Sequence, residues 1–350
     1  MAVPTMTPRE RFLAAARRRP VDRTPIWLMR QAGRWLPEYR ALREGRAFMD
    51  MVRDPALAAE LTCQPIRRFD FDAAVIFSDI LVPASAMGVG VRFEEGRGPI
   101  LEPVSRDRVA IERLEPFDPE ESTGFLAEAI RRVRAELGPD RAIVGFCGAP
   151  FTVASYIVEG GSTRAFTHTK ELLARDPALF AELLTRVVEA SIPYLAMQVE
   201  AGADVLQIFD SWAGFLDHAT YAAHVLPHLS RLVCVAKAIG VPLILYANHA
   251  AHLTDLLVSA GPDVLSLDAT ADVASAVARW RSSLAFQGNL DHEALLGEPE
   301  AAAAAARATL DRFKDANGHI FNLGSGCVPA TRIDCVQAVV DVVRASPSRP

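Results

Sequence analysis

Ala73–Asp79 reads AAVIFSD, five apolar residues without polar alternation and then a serine and a carboxylate. A strand with one face in water alternates apolar and polar side chains. A strand covered on both faces does not, so this run belongs in a parallel sheet. Working outward, the same kind of run recurs before it at Pro25–Met29. It recurs after it at Ala142–Phe146, Asp204–Phe209, Pro242–Tyr246, Asp263–Leu267, Leu284–Gln287 and His319–Leu323. With Ala73–Phe77 these make eight. Helical stretches such as Pro177–Val199, Tyr221–Ala238 and Pro299–Ala316 lie between them. Repeated strand–helix units of this number predict an α/β fold, a single (β/α)8 TIM barrel. A doubly wound open sheet is the alternative. It usually carries a GxGxxG turn after its first strand, and none stands here. No Gly/Ser-rich linker interrupts the chain, so residues 1–350 are read as one domain with a short N-terminal helical extension.

The bulk properties narrow the function. Half of the 350 residues are apolar and the formal net charge is -6. That argues against a nucleic-acid partner, whose binding domain is usually basic. An anionic small molecule stays possible, because a pocket can be positive on an acidic protein. The five cysteines, Cys63, Cys147, Cys234, Cys327 and Cys335, are scattered without a CxxC pair. They read as reduced thiols of a cytoplasmic protein. The N-terminal segment lacks the apolar core of a signal peptide. Thr7, Pro8 and Glu10 predict a capped helix instead. No apolar run is long enough to span a membrane.

In a barrel, chemistry sits just beyond the strand C-termini. The residues there are Arg30-Gln31-Ala32-Gly33-Arg34, Ser78-Asp79, Gly148-Ala149-Pro150 with Tyr156 further on, and Asp210-Ser211. Asn248-His249, Asp268, Asn289 with Asp291, and Ser325 complete the ring. Arg30 and Arg34, with Arg40 and Arg43 close behind, suit a polyanion, since guanidinium binds carboxylate bidentately. Arg30 and Arg34 lie on one side of a helical turn or flank a loop at Gly33; a solvated basic helix face is the plain alternative. Asp79 ends a buried strand and so needs a partner. An arginine salt bridge or a helix cap would serve, and so would the N–H groups of a ligand. Tyr156 and Ser211 carry little signal alone, and no His has an evident serine partner for a Ser-His-Asp set.

Two long segments carry a family resemblance. Pro25–Arg40, PIWLMRQAGRWLPEYR, and Gly145–Gly161, GFCGAPFTVASYIVEGG, resemble the two signatures of uroporphyrinogen decarboxylases. FDAAVIFSDILVPASAMG, IFDSWAG, QGNLDHEALL and FNLG resemble the linking segments, so the similarity covers nearly the whole chain. The resemblance implies a (β/α)8 barrel, a homodimer, and neither metal nor organic cofactor. The reaction it implies is loss of carbon dioxide from the four acetate side chains of uroporphyrinogen III, giving coproporphyrinogen III. Position by position, it implies a substrate loop at Arg30, Gln31, Ala32, Gly33 and Arg34. It makes Asp79 the central carboxylate for the pyrrole N–H groups and sets Tyr156 beside it in the catalytic site. It makes Ser211 a substrate-contacting hydroxyl and matches Arg43 and Phe209 to further pocket positions. Arginine is almost never deprotonated, so Arg30 and Arg34 are assigned mainly to carboxylate clamping.

Three loops depart from the family. Where its last strand usually ends L-G-H-G, with the histidine on substrate, this chain has Leu323-Gly324-Ser325-Gly326, leaving Ser325 as the pocket residue. Tyr246-Ala247-Asn248-His249 replaces a glycine-rich turn, and Ser266-Leu267-Asp268-Ala269 lacks an aromatic. His249 and Cys327 resemble two zinc ligands of cobamide-dependent methyltransferases on the same fold. Ala251 stands at the third ligand position, and zinc normally takes at least three protein ligands. A non-catalytic tetrapyrrole binder is another reading. It gives no reason for a carboxylate at Asp79 in a pocket for a polyanion.

Overall fold

The computed structural model describes residues 4–94 and 96–347. Seven of the apolar runs are strands of one parallel sheet: β1 Ala73–Val75, β4 Ala142–Gly148, β5 Val205–Asp210, β6 Leu243–Ala247, β7 Val264–Ser266, β8 Ala285–Leu290 and β9 His319–Leu323. They pair in the order β1-β4-β5-β6-β7-β8-β9. Helices such as Pro119–Leu137, Pro177–Glu200 and Pro299–Arg312 return the chain over the outside. Between β1 and β4 an antiparallel hairpin is inserted, β2 Gly90–Glu94 with β3 Gly98–Glu102. The sequence reading did not foresee it, since its residues are mostly half-exposed and lack an apolar run. No helix of the described residues is long and apolar enough to cross a membrane.

The remaining run, Pro25–Met29, occupies the eighth position without forming a laddered strand. Ile26 makes one parallel bridge to Phe321 of β9. On the other side, Asp72 N–H donates to the Ile26 carbonyl at 2.8 Å. Side chains add to the closure. The Ile26 N–H donates to the Asp72 carboxylate, and the Met29 N–H to Asn322 Oδ1, each at 2.8 Å. Gln31 accepts from the Leu28 N–H and donates to the Ala73 carbonyl. Pro25 has no N–H to offer a ladder; its carbonyl accepts the Phe321 N–H at 2.8 Å, and polar side chains pair the N–H groups of Ile26, Leu28 and Met29.

Alternate strand side chains fill the barrel. Ala73, Val144, Val205, Ile244, Val264, Ala285 and Ile320 form one buried cluster with Trp27, while the other strand face packs under the helices. A polar layer crosses this interior. Gln287 donates to Gln207 Oε1 at 3.2 Å and to Ser266 Oγ at 2.9 Å, and accepts from the Trp27 indole at 2.9 Å. Each amide is satisfied, which removes the cost of burying it.

The N-terminal helix Pro8–Ala16 closes the end of the barrel opposite the mouth. Thr7 and Glu10 form its capping box, as the sequence reading expects. Phe12 and Ala15 join the barrel-interior cluster. Arg11 donates to Asp72 at 2.7 Å, and Arg9 to Asp204 at 2.8 Å. Both carboxylates also accept a strand-end N–H, of Ile26 and Ile143 respectively. The predicted extension is therefore a structural plug.

Candidate active site

The mouth is organised around Arg30. The helix after strand position one begins only at Pro37, so Arg30 and Arg34 flank a loop and do not share a helix face. Arg30 is in the left-handed region at φ 58°, a conformation that costs a non-glycine residue about 1 kcal/mol or more. The Trp35 indole N–H holds the turn by donating to the Arg30 carbonyl at 3.3 Å. The Arg30 side chain then lies across Gly326, beyond β9. A Cβ there would stand 2.5 Å from Arg30 Cδ, so a larger residue would displace the Arg30 side chain from this position.

Asp79 is half-buried. The Leu81 N–H donates to its Oδ1 at 2.9 Å, a local turn contact, and among the described residues no arginine pairs with it. Burial pushes its carboxyl up to about 6; the Leu81 N–H and the Arg30 charge oppose the rise without overcoming it. Tyr156 is buried, on the helix Pro150–Glu159. Burial raises its phenol, and Asp79 adds to the rise, while Ser162 and Arg30 act against it. Arg30, Asp79 and Tyr156 therefore share one electrostatic environment. The Arg30 charge is felt as well by Tyr246 and by Cys327, whose thiol burial pushes up to about 12.

Aromatic rings pack around these residues. Phe209 stands edge-on to Phe146 at 5.4 Å and to Tyr246 at 5.9 Å, and Trp212 lies 5.6 Å from the Tyr156 ring. Ser211 is half-exposed between Phe209 and Trp212. Gly214 lets this loop pack on its neighbour, since a Cβ would stand 2.3 Å from the His249 carbonyl oxygen. Ser325 accompanies Gly326 beside Arg30, and its hydroxyl lies 3.0 Å from His292 Nδ1.

The remaining members of the arginine loop divide. Arg34 is exposed, and its charge and that of Arg43 both act on the Tyr39 phenol, which places the two together. Arg40 is spent on the carbonyls of Arg34 and Trp35. Ala32 and Gly33 are half-buried backbone of the turn. The Gln31 side chain is fully buried, and its amide joins Leu28 to Ala73 in the barrel wall.

Several polar strand-end residues counted towards the mouth are bound elsewhere. Asp210 is buried, accepting from Thr152 at 2.6 Å and from Tyr221 at 2.9 Å. Burial pushes it up to about 6, with those two hydroxyls opposing. Asp268 accepts from the N–H groups of Ala250 and Thr270, and Asn289 donates to the Asp268 carbonyl. These residues fix the loops. Strand side chains alternate, so adjacent strand-end positions face opposite sides of the wall. Tyr246, Trp212 and His292 were missed. Tyr246 does end an apolar run, as Phe209 does, and that is a usable signal.

For a metal, the donors do not assemble. Among the described residues no group of three His, Cys, Asp or Glu side chains is placed to hold one. His249 is exposed, and Cys327 is buried with its N–H on the Met29 carbonyl.

A parallel barrel whose mouth presents a loop arginine, a half-buried carboxylate and a buried tyrosine beside aromatic rings has the layout of a barrel enzyme. The model of the family described as uroporphyrinogen decarboxylase matches residues 7–346. The chain belongs to that family. It is 44% identical over 343 residues to the uroporphyrinogen decarboxylase of Chloroflexus aggregans, covering 97% of this chain and 96% of the relative. It is 45% identical over 334 residues to that of Myxococcus xanthus, covering 95% of each. Among solved structures, a methyltransferase from Methanosarcina mazei superposes with a TM-score of 0.83 at 22% identity, covering 97% of this chain and 98% of that one. That likeness establishes the shared fold.

Proposed function

We propose that this chain decarboxylates uroporphyrinogen III at its four acetate side chains, yielding coproporphyrinogen III. Full-length membership of the family supports the reaction, and the shared environment of Arg30, Asp79 and Tyr156 carries the assignment of the site. Decarboxylation needs a sink for the electron pair of the breaking C–C bond. A pyrrole protonated at a ring carbon is such a sink, so the substrate supplies what a cofactor supplies elsewhere. Carbon dioxide leaves and the pair neutralises the cation as an exocyclic methylene. Protonation of that methylene and loss of the ring proton then give the methyl group.

In this reading Asp79 accepts pyrrole N–H groups and stabilises the cation. A half-buried carboxylate does so more strongly than one in water, and the gain is largest where the positive charge develops. With its carboxyl at about 6, Asp79 is mostly ionised at neutral pH. Tyr156 sits beside it as a hydroxyl for the substrate. Arg30, Arg34 and Arg43 clamp substrate carboxylates. Phe209, Ser211 and Ser325 line the cavity, and the backbone of Gln31, Ala32 and Gly33 shapes the arginine loop. The homodimer, the cytoplasmic location and the single domain over 1–350 belong to the same proposal, supported by the family resemblance.

The deciding experiment is anaerobic, reduced incubation with uroporphyrinogen III, followed by chromatography of the oxidised products. Stepwise appearance of hepta-, hexa-, penta- and tetracarboxylate species is the expected result. An unchanged octacarboxylate overturns the proposal.

A further inference from the structure

The turns beyond β8 and β9 are joined by an imidazole. Ser325 Oγ lies 3.0 Å from His292 Nδ1, and Asp291 Oδ1 lies 3.3 Å from the same nitrogen. Asp291 is fixed in turn, accepting from the Glu293 N–H at 3.0 Å. A carboxylate and a hydroxyl both within reach of one ring nitrogen fix the orientation of the ring. Nε2 has no hydrogen-bond partner among the described residues, although the side chain keeps only 31% of its surface exposed. Next to Ser325, Gly326 lies under the Arg30 side chain. The ring therefore stands at the rim of the mouth, two residues along the contact chain from Arg30.

We infer that His292 is the substrate-contacting group on this side of the mouth, with Nε2 donating to a substrate carboxylate while Asp291 and Ser325 hold Nδ1. This rests on the reading of the ligand as a tetrapyrrole polycarboxylate. Nδ1 is engaged by Ser325 and Asp291, so Nε2 is the ring nitrogen left to meet an anion. Ser325 is then a positioning residue. Its side chain is short, and its hydroxyl is turned to His292 Nδ1. The imidazole on the adjacent loop presents a second ring nitrogen beyond that contact.

The test compares wild type, His292→Gln, Ser325→Ala and the double variant His292→Gln/Ser325→His. KM for uroporphyrinogen III is measured with kcat, and Kd for uroporphyrin, the stable oxidised octacarboxylate, by fluorescence titration. His292→Gln should raise KM and Kd about tenfold, the loss of one partly exposed charge-assisted hydrogen bond, with kcat changed much less. Ser325→Ala should produce a smaller rise in the same direction. The double variant should recover most of the loss, because it returns an imidazole to the same rim; a purely structural role for His292 predicts no recovery. KM and Kd of His292→Gln within about twofold of wild type overturn the inference. If wild type binds uroporphyrin but does not turn over uroporphyrinogen, the decarboxylase reading fails and the Kd ratios still decide the role of His292. If wild type binds no uroporphyrin, both fail.

Discussion

Asp79→Asn separates what the carboxylate does for the reaction from what it costs the fold. In the folded protein burial raises its carboxyl from 3.8 to about 6. A raised carboxyl means that ionisation is harder in the folded state than in the unfolded one. The resulting penalty is absent below pH 3.8, grows as the pH rises, and is complete above about 6. A shift of about two units at 1.36 kcal/mol each amounts to about 3 kcal/mol of stability withheld at neutral pH. Asparagine keeps the size and can still accept from the Leu81 N–H, but carries no charge to desolvate. The variant should therefore melt several degrees higher than wild type at pH 7.5, and the difference should shrink towards pH 5. Its kcat should fall by about 10²–10³, the usual loss on removing one preorganised electrostatic partner. Circular dichroism melts across that pH range, paired with turnover of uroporphyrinogen III, measure both quantities. A variant that is less stable than wild type at pH 7.5, or that retains full kcat, refutes the reasoning.

Arg30→Ala should weaken substrate binding by about 1.5–3 kcal/mol, read in KM, and should push the Asp79 carboxyl further up, because the Arg30 charge lowers it. Gln31→Ala should lower the melting temperature by leaving the Leu28 N–H and the Ala73 carbonyl unpaired, at about 1–3 kcal/mol each, with a smaller effect on KM. A Gln31→Ala protein as stable as wild type but defective in binding would instead make that amide a substrate contact. Chelator treatment should leave turnover unchanged; loss of activity restored by zinc would favour the methyltransferase-like chemistry suggested by His249 and Cys327.

The sheet was legible because strands covered on both faces cannot hide their composition. AIVGF and PLILY carry no polar side chain and VLQIF is broken only by Gln207, and each lies in a strand or overlaps one. Pro25–Met29 reads the same way but pairs differently, because its partners are the side chains of Asp72, Gln31 and Asn322, which no periodicity announces. The mouth was legible by position and less so by orientation. Asp79 could be found from the end of its strand. Asp210 and Asp268, found by the same rule, are spent on hydroxyls and backbone N–H groups. The direction of a side chain at a strand end depends on register and twist, which single residues do not encode. His292 gave no sign at all: one histidine in a loop acquires meaning only when Ser325, from another loop, is set against it.

The closure of the barrel has a consequence for when the protein can first work. Met29 and Asn322, the hydrogen-bonded pair beside Arg30, are 293 residues apart in the chain. Arg30 belongs to the first strand position, and Gly326, on which its side chain rests, follows the last strand. During synthesis, most of the sheet can pair locally, strand by strand, as each helix returns the chain. The arginine platform cannot exist at that stage, because its floor has yet to be made. A nascent chain short of β9 carries Asp79 and Tyr156 but leaves Arg30 without its seat, so the clamp proposed for the substrate is incomplete. Competence arrives with the final seam, and an abandoned translation product has no finished site with which to sequester the substrate.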